Sequence, residues 1–148
     1  MRLAFGADEK THLTDTLIEA LRLRGHEVDV VGPPAGDALG WADVAHDVGE
    51  LVALGRADRG VVCCWTGTGV SIAANKVPGV RAALCTDAET ARGARLWNDA
   101  NVLCLSLRLT SEATGREILD AWLSTDPDGS ETENIEKVRD MDTARGPL

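Results

Sequence analysis

Apolar residues fall along this chain in two textures that alternate from end to end. Short continuous runs read as buried strands: Arg2 to Gly6, Glu27 to Val31, Gly60 to Cys64, Val80 to Cys85 and Asn101 to Leu105. Between them lie stretches with an apolar residue every three or four positions. Leu13, Leu17 and Leu21 mark one helix, stopped by Gly25; Val44, Val48, Leu51 and Val52 mark a second, stopped by Gly55. Ser71 to Lys76 predicts a short helix behind a glycine-rich turn. Thr86-Asp87-Ala88-Glu89 has the form of a capping box, opening a helix to about Trp97. Thr114, Ile118, Ala121 and Trp122 stripe the next helix. Strands that are apolar throughout, rather than at every second position, are covered on both faces. The alternation therefore predicts a Rossmann-like three-layer α/β/α sandwich around a five-stranded parallel sheet.

The texture changes after Trp122. Asp126 to Arg145 carries seven acidic and three basic residues behind an Asp126-Pro127-Asp128-Gly129 turn, with Ile135, Val138 and Met141 as a sparse apolar face. This divides the chain into a domain over 1–125 and an acidic helical arm over 126–148. The arm is expected either as a solvated terminal helix or as a packing element against a second subunit.

Charge narrows the partners. A net charge of −9 disfavours nucleic acid and anionic membrane, both of which reward a basic face, and leaves small molecules and proteins. No apolar run approaches the roughly 18 residues of a membrane span, and the first residues lack a signal-peptide pattern, so a cytoplasmic protein is expected. Cys63, Cys64, Cys85 and Cys104 sit in strand-like segments and read as reduced thiols. Without a C-x-x-C pair, and with His12, His26 and His46 all in the first third, no metal is expected.

Ligands of an open parallel sheet bind beyond the carboxyl ends of its strands. Three segments are expected there: Gly6-Ala7-Asp8-Glu9, Cys64-Trp65-Thr66-Gly67-Thr68-Gly69 and Trp97-Asn98-Asp99-Ala100-Asn101. In the second, two glycines allow a tight turn that exposes backbone N–H groups, and a helix follows. Gly67-Thr68-Gly69 lacks the third small residue of a dinucleotide fingerprint, since Ile72 stands in its place, and no phosphate-loop lysine motif occurs. No nucleotide cofactor is expected. A thiol beside oriented N–H groups suits proton abstraction next to a carbonyl, where a base takes the proton and the donors hold the enediolate oxygen. Read on its own, Cys64 is equally a small buried apolar residue, as Cys63, Cys85 and Cys104 are.

Ser71-Ile72-Ala73-Ala74-Asn75-Lys76 with Val80-Arg81-Ala82, Cys64-x-Thr66-Gly67, Gly6-x-Asp8 and Asn98-Asp99-x-Asn101-Val102-Leu103 together resemble the ribose-5-phosphate isomerase B and galactose-6-phosphate isomerase family over nearly the whole chain. The resemblance implies a cofactor-free aldose–ketose isomerase working through a cis-enediolate. It also implies a homodimer or tetramer with sites shared between subunits. It casts Cys64 as base, Thr66 as assisting hydroxyl and Asp8 as binder of sugar hydroxyls. Asn98 and the backbone of Gly67, Thr68, Gly69, Val70 and Ser71 become the enediolate-stabilising hole, and Arg108 an anion contact.

Four departures accompany it. Glu9 and Trp97 stand where the family usually has histidine, the latter to help open the sugar ring; Trp65 replaces a small residue; and Ser130 to Glu136 replaces phosphate-binding arginines. Carboxylates in place of arginines repel phosphate, while added indoles narrow a pocket and offer stacking faces. Lys76, Lys137 and Arg139 remain as other phosphate contacts. The departures point to an isomerase for an uncharged, differently charged or already open-chain sugar-like substrate. An epimerase or specialised-metabolism isomerase on the same site, or a non-catalytic binding protein that keeps the pocket, are the other readings.

Overall fold

The computed structural model describes residues 1–144 of the chain. Five strands form one parallel sheet: β1 (Arg2–Ala7), β2 (Glu27–Val31), β3 (Arg59–Cys64), β4 (Ala82–Leu84) and β5 (Val102–Ser106), in the order β2-β1-β3-β5-β4. The helices are α1 (His12–Leu23), α2 (Trp41–Ala53), α3 (Thr68–Ala74), α4 (Ala88–Asn98), α5 (Glu112–Ser124) and α6 (Thr132–Thr143). The three-layer prediction holds. Leu3, Phe5, Val61, Cys63, Leu103 and Leu105 face a layer built from α1, α4 and α5, whose Leu17, Ile118 and Trp122 are fully buried. The intervening Ala4, Val62, Cys64, Val102 and Cys104 face α2 and α3. Both sets are buried, which is why the strands read as continuous apolar runs.

Local chemistry moves some predicted boundaries. The helix after β4 is capped by Asp87, whose carboxylate accepts the Thr90 N–H at 2.7 Å. Thr86 lies one residue too early and Glu89 falls at the second helical position, so the capping box expected there does not form. A reciprocal box occurs instead at α1: Thr11 N–H donates to Thr14 Oγ1 at 2.9 Å, and Thr14 N–H to Thr11 Oγ1 at 3.2 Å. The fourth strand is only Ala82–Leu84, because the Val80 N–H closes a turn onto the Val77 carbonyl. The third helix starts at Thr68 rather than Ser71, since Gly67 at φ +76° turns the chain straight out of β3. A Cβ on Gly67 would lie 2.6 Å from Leu84 Cδ1 and 2.9 Å from the Leu105 carbonyl carbon.

The described part of the arm, through Ala144, folds back on the chain's own body. Ile135 is buried, Arg139 Nη2 pairs with Asp99 at 3.0 Å, and Asp142 accepts the Gly79 N–H at 2.8 Å. Residues 145–148 of the predicted arm lie outside the described residues.

Candidate active site

Cys64 ends β3 at the sheet's carboxyl edge and Asp8 follows β1 at the same edge, in adjacent strands. They line one cleft of about 310 Å³ together with Trp65, Thr66, Thr68, Gly69 and Trp41. Cys64 is 5% exposed, with its backbone carbonyl held by the Leu107 N–H at 2.9 Å. The Trp65 carbonyl accepts from Arg108 N–H and Ser106 Oγ, both at 2.9 Å, which pins the turn while the indole stays exposed. The Thr66 and Thr68 hydroxyls are 2.7 Å apart and share a hydrogen bond. The first intrahelical bond of α3 runs from Ser71 N–H to the Gly67 carbonyl, so Ser71 has no spare amide, in contrast to the expectation. The amides of Gly67, Thr68, Gly69 and Val70 precede that first bond and are the donors left for a ligand. The Val70 side chain is fully buried in the core, so only its backbone can contribute.

Charge in the cleft belongs to Asp8. Its carboxyl is half-buried, and desolvation, with repulsion from Glu9 as a smaller cause, raises its pKa above the ordinary value of 3.8. Glu9 itself is exposed and does not line the cleft. Arg108 follows β5 at the same edge, exposed, with no ion pair to its guanidinium among the described residues.

Trp97 and Asn98 are elsewhere, and the strand directions explain why. In a parallel sheet each connecting helix returns the chain to the starting edge, so α4 ends, and β5 begins, at the amino edge. The Gly60 N–H donates to the Asn101 carbonyl at 2.9 Å, which sets Asn101 level with the start of β3. Four residues of strand, about 13 Å, separate that level from Cys64. The expectation that Trp97 to Asn101 lies beyond the carboxyl ends is therefore corrected. Trp97 lies back along α4 over Gly93, where a Cβ would come within 2.8 Å of its ring, and remains 52% exposed. With Asn98 it lines a second cleft of about 380 Å³ closed by Arg81, Asn134, Ile135 and Val138.

Neighbouring motif residues hold this edge together. Asn75 bridges α3 to β4, donating to the Ser71 and Ala82 carbonyls and accepting from the Ala82 N–H. Asn101 ties Arg81 N–H to the Gly79 carbonyl. Asp99, in the left-handed conformation at φ 45°, receives Arg81, Arg95 and Arg139 at 3.0–3.1 Å. Trp41 was not legible as a site residue; its indole lies flat on Gly69, which would carry a Cβ 3.0–3.3 Å from the ring. Among the described residues no cluster of His, Cys, Asp or Glu could hold a metal ion, and no helix is long and apolar enough to cross a membrane.

Fold and cleft define a doubly wound α/β protein with a cleft at its sheet's carboxyl edge that brings a thiol and a carboxyl together. The family described as Ribose/Galactose Isomerase matches residues 3–140. The chain is 35% identical over 141 residues to D-erythrulose-4-phosphate isomerase of Pectobacterium atrosepticum, covering 93% of each protein. It is 36% identical over 129 residues to ribose-5-phosphate isomerase B of Escherichia coli, covering 86% of this chain and 87% of that one. The structure of Clostridium thermocellum ribose-5-phosphate isomerase B superposes with a TM-score of 0.90 at 36% identity, over 97% of this chain and 98% of that one. The chain belongs to the ribose/galactose isomerase family, and its chemistry is that of an aldose–ketose isomerase.

Proposed function

We propose that the chain interconverts a phosphorylated aldose and its 2-ketose through a cis-enediolate, with Cys64 as the base. The observation that carries this is the Cys64 cleft itself. A thiol at the end of a central strand faces the same space as Asp8, the Thr66–Thr68 hydroxyl pair and a turn with free amides. Cys64 takes the proton from the carbon beside the carbonyl, the amides of Gly67 to Val70 hold the developing oxyanion, and the proton returns to the neighbouring carbon. Thr66 relays protons between the two oxygens and Asp8 holds a substrate hydroxyl. The reaction moves one hydrogen within one molecule, so it needs no cofactor.

Relatives at about one-third identity are named for a four-carbon and a five-carbon sugar phosphate. Phosphate is their common feature, and Arg108 offers an uncommitted cation at the right edge. Lys137 and Arg139 are paired with Glu133 at 2.6 Å and Asp99 at 3.0 Å, which makes Arg108 the better phosphate contact. An uncharged substrate is therefore set aside.

Asn98 of the same chain cannot meet a substrate at Cys64, because the two face opposite sheet edges. We assign Asn98 and Trp97 to the cleft of a second copy, with α6 carried alongside them. The test of the base is solvent deuterium appearing on the substrate carbon beside the carbonyl. Cys64→Ala lowers that exchange by about 10²–10⁴-fold if the thiol is the base; unchanged exchange in a folded variant removes it from the role.

A further inference from the structure

The chain's histidines are all committed away from the site. His12 Nε2 lies 2.6 Å from Glu112 on the α1/α5 layer, His26 Nδ1 lies 3.3 Å from the Met1 amino group, and His46 faces Asp47 and Glu50 along α2. None lines the Cys64 cleft or the Trp97–Asn98 cleft. The titratable side chains that do are Asp8 and Cys64 in the first, and Arg81 and Glu131 in the second. Cys64 is used for carbon deprotonation, so neither cleft holds an imidazole or a second thiol free for other work.

That matters for rings. A five-carbon aldose 5-phosphate closes on its own O4 hydroxyl, and an enzyme that accepts it must remove a proton from the C1 hydroxyl while protonating the ring oxygen. A four-carbon aldose esterified at O4 has no hydroxyl with which to form a five- or six-membered ring, and neither has its 2-ketose. A three-carbon phosphate is open as well, but it carries no hydroxyl beyond the two oxygens that react. Asp8 and the Thr66–Thr68 pair would then face nothing.

The walls of the cleft agree. Trp41 lies on Gly69, and the Trp65 carbonyl accepts two hydrogen bonds that hold its backbone at the turn, so two half-exposed indoles line the cleft of about 310 Å³ together with the thiol. Resting on the isomerase reading above, we propose that this site takes an open-chain four-carbon sugar phosphate, an aldotetrose 4-phosphate and its 2-ketose. Cys64 breaks the C2–H bond, the electron pair forms C1=C2, and O1 takes up a proton. O2 then gives up its proton as C1 gains one, so atoms and electrons balance without an oxidant. Asp8 holds the C3 hydroxyl, the indoles cover the carbon chain, and Arg108 meets the phosphate.

The test compares erythrose 4-phosphate with ribose 5-phosphate on the native protein, following product and solvent deuterium by proton NMR. The expected result is a kcat/KM at least about 10²-fold higher for the four-carbon compound. The ribose 5-phosphate rate should also stop rising with added protein once spontaneous ring opening limits it. Trp65→Gly should narrow the preference by raising five-carbon turnover. A ribose 5-phosphate rate that stays proportional to protein and equals or exceeds the four-carbon rate would overturn the four-carbon assignment and leave the isomerase intact. No exchange with either compound, in a protein that is folded by circular dichroism, would overturn both.

Discussion

Cys64 differs from the other three thiols in what surrounds it. Cys63, Cys85 and Cys104 are at most 1% exposed, and burial pushes Cys85 and Cys104 up to about 12 and Cys63 further in the same direction. Cys64 is the one that lines a cleft. A charged disulfide reagent should therefore titrate one thiol in the native protein and four in denaturant, and Cys64→Ser should remove the native reaction. Asp8 gives a stability test of the same site. Its folded pKa is raised, so the folded state favours the protonated form; the associated stability is present below the ordinary carboxylate value and lost as pH rises through the folded one. Asp8→Asn should then raise the urea midpoint at pH 7, with the gain vanishing below about pH 4, while weakening substrate binding. At this scale the sequence made Cys64, Thr66, Asp8 and the glycine turn legible, because they lie in two short strand-end motifs. Trp41 was not legible, since nothing in Gly40-Trp41 records that the start of α2 lies over Gly69.

Elements were read well where periodicity decides them and less well where one side chain does. All five strands and six helices follow the apolar textures, the arm included. The misread helix start shows the limit: Thr86 and Asp87 are both good caps, and only the observed Ala88 start selects Asp87. Asp87→Ala should lower the denaturation midpoint at pH 7, whereas Thr86→Ala should leave it unchanged. Accepting backbone hydrogen bonds from Thr90 and Glu89 lowers the Asp87 pKa, so its contribution is present above the ordinary value of 3.8 and lost as pH falls through the folded one. The two variants should converge in strong acid. Gly67 is the stricter position, because a β-carbon there meets backbone as well as the left-handed penalty. Gly67→Ala should cost at least about 1–2 kcal/mol in urea unfolding, and it should also impair exchange at the adjacent amides.

At the scale of the whole molecule the sequence pattern could not say which edge of the sheet receives Trp97 and Asn98. Both edges are lined by loops next to strands, and only the direction of α4 distinguishes them. That direction separates Asn98 from the thiol of its own chain, which is why we propose an active site built by two copies. Asp99 then has a use beyond ending α4, since its three arginines lock the Asn98 edge, the start of β4 and α6 into one block, the block that the proposed second copy would meet. The central claim, that Cys64 and Asn98 act on one substrate across copies, is tested most directly by subunit mixing. Cys64→Ala and Asn98→Ala proteins, each inactive or nearly so alone, are unfolded together, refolded in equal amounts and assayed for isomerisation. Random pairing restores about one quarter of wild-type activity, because half the pairs are mixed and each mixed pair holds one intact site of two. Activity no higher than the sum of the separate variants, with mixed pairs confirmed by mass, would contradict a shared site.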